Sequence, residues 1–410
     1  MNSDPIRAVS EDLADALDAE ETTQRNGLLM IASENHVSPA VMAAQGSVLT
    51  NRNALGYPDD RLYPASQDID TVEQLAIDYA KELWGADHVN VQPHSGSLAN
   101  LAVYLAVLEP NDRILALDPI DGGHITHGDT RHISGKQHET EFYHANPETG
   151  RVDYDDLQTR AEEFDPDLII SGYSAYPREV NWERVQAAAD AVDAYHLADI
   201  AHLSGLIAAD QLASPVGIAD FATGSTYKTI RAGRGGVILC DEMYADAIDA
   251  AVFPGSQGGA AMPMIAGKAA GFAEALTPEF DSYAEQLVTN ARTLAQTLAE
   301  RGIHVVSGGT DTHIVLIDLR QSHPDLTGSE AEAKLEAAGI YVTKATVPGE
   351  TRPNEASGIR IGTPALTSRG FEEEEMKKVA ELINHVLNDD DLENVQTEIA
   401  VLCEENPLDE

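Results

Sequence analysis

Short apolar runs recur through the middle of the chain, at 89–91, 113–117, 168–171, 195–198, 219–223 and 236–240. Stretches of helical periodicity, 72–84 and 98–108 among them, lie between. This alternation predicts an open α/β sheet with helices on its faces. Open sheets place their ligands beyond the strand ends, so polar residues that follow these runs are the first candidates for chemistry.

The pattern changes near residue 280. Helical periodicity over 282–301 is followed by the apolar stretch 303–306 and a Ser307-Gly308-Gly309 turn. A run at 313–319, a helix over 329–338, a strand over 359–361 and terminal helices complete the chain. These signals predict a large domain over 51–279 and a smaller C-terminal domain over 280–410. Residues 1–50 read as an arm that packs on the large domain or on a neighbouring molecule.

At 410 residues and 43% hydrophobic content, the chain can bury a large core. It lacks an apolar run of the ~18 residues a membrane span needs, and the acidic start Met1-Asn2-Ser3-Asp4-Pro5 has neither the basic nor the apolar region of a signal peptide. A cytoplasmic location is expected. Cys240 and Cys403 have no spacing that suits a disulfide framework or a zinc site. A formal charge of −43 opposes binding to nucleic acid or to anionic membrane. The acid is dispersed over helix-like stretches and only eight residues are lysine, which suggests a halophilic protein whose self-repulsion is screened by salt.

One of those lysines stands out. Lys228 lies in Ser225-Thr226-Tyr227-Lys228-Thr229, 29 positions after Asp199, which closes an apolar run. A lysine amine can hold the aldehyde of pyridoxal 5'-phosphate as a Schiff base. A carboxylate can keep the pyridine nitrogen protonated, so that the ring accepts electrons. Ser95-Gly96-Ser97 opens a helical run, where N–H groups and hydroxyls suit a phosphate, although such a turn can also merely cap the helix. His124 sits in a loop where an imidazole can stack on a ring or stay at the surface. His202, three residues after Asp199, can contact the cofactor or cap a turn. Arg360, on a short strand, can grip a carboxylate by two parallel hydrogen bonds or serve structure in an acid-rich chain. His124 and His127 lack the further ligands of a metal site, so no metal is expected.

Leu29-Met30-Ile31-Ala32-Ser33-Glu34-Asn35, Val91-Gln92-Pro93-His94-Ser95-Gly96-Ser97, Gly122-Gly123-His124-Ile125-Thr126-His127-Gly128 and Asp199-Ile200-Ala201-His202 resemble, in order and spacing, serine hydroxymethyltransferase. Phe253-Pro254-Gly255-Ser256-Gln257-Gly258-Gly259 and Gly358-Ile359-Arg360-Ile361-Gly362-Thr363-Pro364 extend the resemblance, which covers about 10–388. It implies a fold-type I pyridoxal-phosphate transferase, with a large mixed or parallel sheet domain of the seven-stranded type and a smaller α+β domain. It also implies a homodimer, with pairing into tetramers left open, and an amino-acid substrate. By the same resemblance, Lys228 carries the cofactor covalently, Asp199 pairs with its ring nitrogen and His124 stacks on the ring. Ser174 and His202 lie near its phenolic oxygen. Ser95, Gly96 and Ser97 hold the phosphate, joined by Gly258 and Gly259 from the partner. Ser33 and Arg360 bind the substrate carboxylate, Tyr63 arrives from the partner, and Arg234 matches an arginine that follows the lysine.

Several positions depart from the family. Asn53 and Leu55 stand where a tyrosine and a glutamate are usual, and Leu62 where a tyrosine lies near the folate. Gly349 and Pro119 replace an asparagine and a leucine of the folate pocket, and Tyr227 replaces the histidine before the lysine. Leucine can neither give nor take a proton. The expected reaction is reversible Cα–Cβ cleavage of serine or a related β-hydroxy amino acid to glycine, with tetrahydrofolate or another pterin as cosubstrate. A folate-independent aldolase or transaldolase acting on threonine or allo-threonine is the alternative. A non-catalytic cofactor-binding paralogue is a third reading, against which the complete cofactor shell argues.

Overall fold

The computed structural model describes residues 4–350 and 355–408, so the first three residues of the acidic start lie outside it. The chain forms two compact units. One comprises Val37–Glu285 with a short return at 346–350, and the other the stretch ending at His36, Gln286–Ala345 and the chain from 355 onward.

The larger unit is built on seven strands: β1 (His88–Asn90), β2 (Arg113–Leu117), β3 (Glu139–Tyr143), β4 (Leu168–Ser171), β5 (Tyr195–Asp199), β6 (Phe221–Ser225) and β7 (Gly236–Cys240). Their order across the sheet is β1-β7-β6-β5-β4-β2-β3. Strand β7 runs antiparallel to both neighbours, and the other pairings are parallel. Every residue of β4, β6 and β7 is buried, as expected of strands covered on both faces. The run expected at 89–91 begins one residue earlier, and that at 219–223 starts at Phe221. Strand β3 was not expected. Its sequence Glu-Thr-Glu-Phe-Tyr gives no apolar run because it is the sheet edge, half-buried along most of its length.

Helix α1 (Gln67–Trp84) ends on Gly85 in the left-handed conformation, and helix α2 (Gly96–Val107) begins on Ser95, whose hydroxyl accepts from Leu98 N–H at 3.2 Å. Ala99, Ala102, Val103 and Tyr104 of α2 pack with Ile114, Ile170, Leu197, Phe221 and Ile238 of the sheet. Burial of each larger apolar side chain contributes about 1.5–3 kcal/mol. That packing seats the α2 N-terminus at the ends of the strands. Helix α3 (Met262–Ala275) packs against α1, where Trp84 meets Phe272 edge-on at 5.3 Å.

The smaller unit holds an antiparallel sheet of β8 (Ile314–Asp318), β9 (Thr343–Ala345) and β10 (Gly358–Gly362), in the order β8-β10-β9. The helix Gly328–Ala338 starts on a Thr327/Glu330 capping box and stops at Gly339 in the left-handed region. Leu28 and Leu29 pair in parallel with Ile340 and Tyr341, and Leu28 and Met30 enter this unit's core. The stretch to His36 is therefore built into the smaller unit, and Val37 onward belongs to the larger one, whereas the sequence suggested a single arm over 1–50. Arg369 fastens the inserted stretch, donating to the carbonyls of Arg25, Gly27, Cys403 and Asn406. Among the described residues, no helix is long and apolar enough to cross a membrane.

Candidate active site

Asp199 ends β5 inside the larger unit, and both oxygens of its carboxylate are hydrogen-bonded. Oδ1 accepts from Ala201 N–H at 2.9 Å, while Oδ2 accepts from Asn100 Nδ2 at 2.8 Å and meets His127 Nε2 at 2.9 Å. Thr223 on β6 fixes the amide in turn, donating to Asn100 Oδ1 at 2.5 Å. Burial alone would raise the Asp199 pKa. The hydrogen bond and charge of His127, helped by a hydrogen bond from Asn100, outweigh it and hold the carboxyl well below the usual range. The result is a buried carboxylate held in its charged form. Gly172 lies against the backbone of this residue: at φ +90° it passes so close that a Cβ would stand 1.9 Å from the Asp199 main-chain carbonyl oxygen.

His124 behaves oppositely. Burial, reinforced by the charges of His127 and Lys228, pulls its pKa down to about 4, so the ring stays neutral near pH 7. Its Nδ1 lies 2.7 Å from Thr126 Oγ1 and accepts from Thr126 N–H at 3.3 Å, which leaves the ring proton on Nε2. Tyr104 and Ser134 both donate to the Thr126 carbonyl and anchor the loop below. The Gly122 carbonyl accepts from the N–H groups of Ser174 and Ala175, joining this loop to the one that carries Ser174.

These groups face one cleft, lined by Ser95, Gly96, Ser97, His124, Ser174, Asp199, His202 and Lys228. The Ser95 hydroxyl does cap α2, but accepting from Leu98 leaves its proton free to donate to an anion, beside the first N–H groups of the helix. A primary amine, a charged carboxylate, a neutral imidazole and a helix N-terminus with two hydroxyls together fit a phosphorylated pyridine aldehyde. Among the described residues, no group of three His, Cys, Asp or Glu could hold a metal ion.

Not every expected residue lines this cleft. Tyr63 is 45% exposed, and Gly259 packs against the Asn53-Ala54 segment, with the Ala54–Ala260 bridge beside it. Ser33 and Arg360 belong to the smaller unit. There Gly362 N–H, at the end of the strand bearing Arg360, donates to the carbonyl of Met30, just before Ser33. Conversely, Asn100, His127, Tyr173, Ser225 and Tyr227 line the cleft without having been singled out for cofactor contact. Asn100 lies one helical turn beyond Gly96 and His127 three residues after His124, and those intervals were the available signals. Tyr227 carries the Arg234 guanidinium over its ring at 4.3 Å.

The chain matches the family described as serine hydroxymethyltransferase over residues 6–383. It is 58% identical over 413 residues to the serine hydroxymethyltransferase of Natronomonas pharaonis, covering 100% of this chain and 97% of that one. It is 61% identical over 396 residues to that of Haloarcula marismortui, covering 96% and 95%. To that of Halobacterium salinarum it is 57% identical over 412 residues, covering 99% of each. The matched organisms agree with the acid-rich composition, and the extent of the match leaves one assignment: this chain belongs to the serine hydroxymethyltransferase family.

Proposed function

We propose that the chain interconverts serine and glycine by reversible Cα–Cβ cleavage, as a pyridoxal-phosphate-dependent transferase of the cytoplasm. The observation that carries this reading is the Asp199 carboxylate, held charged by His127 and Asn100 in the same cleft as Lys228. When bound, pyridoxal phosphate supplies a ring that takes up the electron pair left at Cα. Asp199 would hold a proton at the pyridine nitrogen, where its charge favours the protonated ring. Lys228 would hold the cofactor aldehyde through its amine. His124, neutral, would stack on the ring, with Ser174 and His202 near its phenolic oxygen. Ser95, Gly96 and Ser97 hold the phosphate, with Gly258 and Gly259 of a second copy. Arg360 and Ser33 hold the substrate carboxylate, which orients the bond to be broken. Tyr63 of the second copy completes the site, and exposure of Leu62 at 67% and Tyr63 at 45% supports a homodimer covering that face.

The cosubstrate is tetrahydrofolate or a related pterin. Leu55, Asn53 and Leu62 on the folate side favour a second activity, folate-independent cleavage of threonine-type substrates. One experiment separates the two. Serine, threonine, allo-threonine and α-methylserine are supplied in high salt, with and without tetrahydrofolate, and aldehyde and glycine are measured. Strict folate dependence on serine supports the first reading and excludes the second; no turnover of any substrate would refute both.

A further inference from the structure

Lys268 lies outside the cleft lining and is 1% exposed. Its Nζ donates to Val91 O at 2.6 Å, Gly236 O at 2.8 Å and Pro93 O at 3.0 Å, which uses all three protons of the ammonium. Val91 and Pro93 belong to the turn between β1 and α2, and Gly236 opens β7. Gly236 N–H also donates to Pro93 O at 2.9 Å, and a Cβ on Gly236 would stand 2.3 Å from the carbonyl oxygen of Ser95. The ammonium thus joins the turn leading into the phosphate cradle to the strand that receives the chain after the Lys228 loop. Packing around it is tight, since a Cβ on Gly235 would come 2.0 Å from Lys268 Cε.

Glu73, the carboxylate whose charge reaches this amine, is already paired with Arg61 at 2.5 Å and Gln92 at 2.7 Å. Burial pulls the Lys268 pKa down to about 7 against the pull of Glu73, so its charge is costly to keep there. Methionine would fill the space without that cost. What it could not do is donate to three carbonyls at once.

We propose that Lys268 is a positioning residue for the anion cradle, fixing the 91–95 turn against β7 so that the Ser95 hydroxyl and the N–H groups of Gly96 and Ser97 stand preformed for a phosphate. The inference rests on the cleft being the cofactor site. Pyridoxal phosphate and pyridoxal, which lacks the phosphate, are titrated into cofactor-stripped wild type, Lys268→Met and Lys268→Gln, and both dissociation constants are read. Wild type prefers the phosphorylated ligand. In Lys268→Met this preference falls at least about tenfold while pyridoxal affinity changes less than about twofold, and Lys268→Gln, keeping two donors, lies between. An unchanged preference in the variants overturns the proposal, as does equal loss of both ligands, the mark of a mere core filler. Should Lys268→Met not fold, Lys268→Gln decides by the same criterion. A wild type without the preference refutes the cofactor-site reading itself and the proposal with it.

Discussion

His127 Nε2 and Asp199 Oδ2 meet at 2.9 Å in the buried floor of the cleft, which makes the second histidine of the Gly-rich loop the charge partner of the carboxylate. Replacing His127 by Ala removes the main force opposing burial, and the Asp199 pKa rises. The acid limb of the kcat profile then moves to higher pH, each unit of movement being about 1.4 kcal/mol of stabilisation lost by the charged form. Stability follows the same sign. A depressed carboxyl contributes stability above its unfolded value of about 3.9, lost as pH falls through the folded value. The variant loses that contribution, which acid unfolding monitored by circular dichroism detects.

Lys228→Ala abolishes the covalent attachment. Borohydride reduction followed by peptide mass spectrometry finds the cofactor on the Lys228 peptide of wild type and on no peptide of the variant. Label on another lysine in wild type would reassign the role.

The buried Lys268 leaves a thermodynamic signature separate from cofactor binding. Its folded pKa, about 7, lies below the unfolded value of about 10.4, so between these limits the unfolded chain binds the extra proton and stability rises with pH. The slope approaches about 1.4 kcal/mol per pH unit. Lys268→Met flattens it, as denaturant midpoints at pH 7, 8 and 9 in constant salt reveal.

By the resemblance, Leu55 stands where a proton-handling glutamate is usual. Leu55→Glu raises transfer of the serine one-carbon unit to tetrahydrofolate by about tenfold or more and leaves allo-threonine cleavage within about twofold, as expected if one general acid–base group is restored. Equal rates for wild type and variant would dismiss that position as the cause of any weak folate use.

A net charge of −43 destabilises the folded chain wherever salt does not screen it. The Tm rises by at least about 10 °C between 0.1 M and 2 M potassium chloride at fixed pH, as calorimetry would record.

That Ser95, His124, Asp199 and Lys228 share one cleft was legible because the candidate groups coincide with local signals. Ser95 is both a helix cap and a phosphate ligand type, and Asp199 ends an apolar strand. Asn100 and His127 escaped notice because their roles depend on β5 and β6 bringing Asp199 and Thr223 to them, contacts spanning 99, 72 and 123 positions. Strand β3 escaped because an edge needs no apolar run. The division of residues 1–50 at His36 was hidden for another reason: Leu28 and Met30 look the same in any core, and the choice was made by pairing with Ile340 and Tyr341.

Strand β7 runs back alongside β6. Ser225 and Gly236 face each other across β6 and β7, so the 226–235 excursion bearing Lys228 leaves and re-enters the sheet at one paired neck, fastened inside by Thr226 to Gly233, Gly235 and Ala232. Residues added at the tip of such a loop lengthen it without shifting strand register. The reach of the Lys228 amine is therefore a module that descent can retune while the sheet around it stays the same.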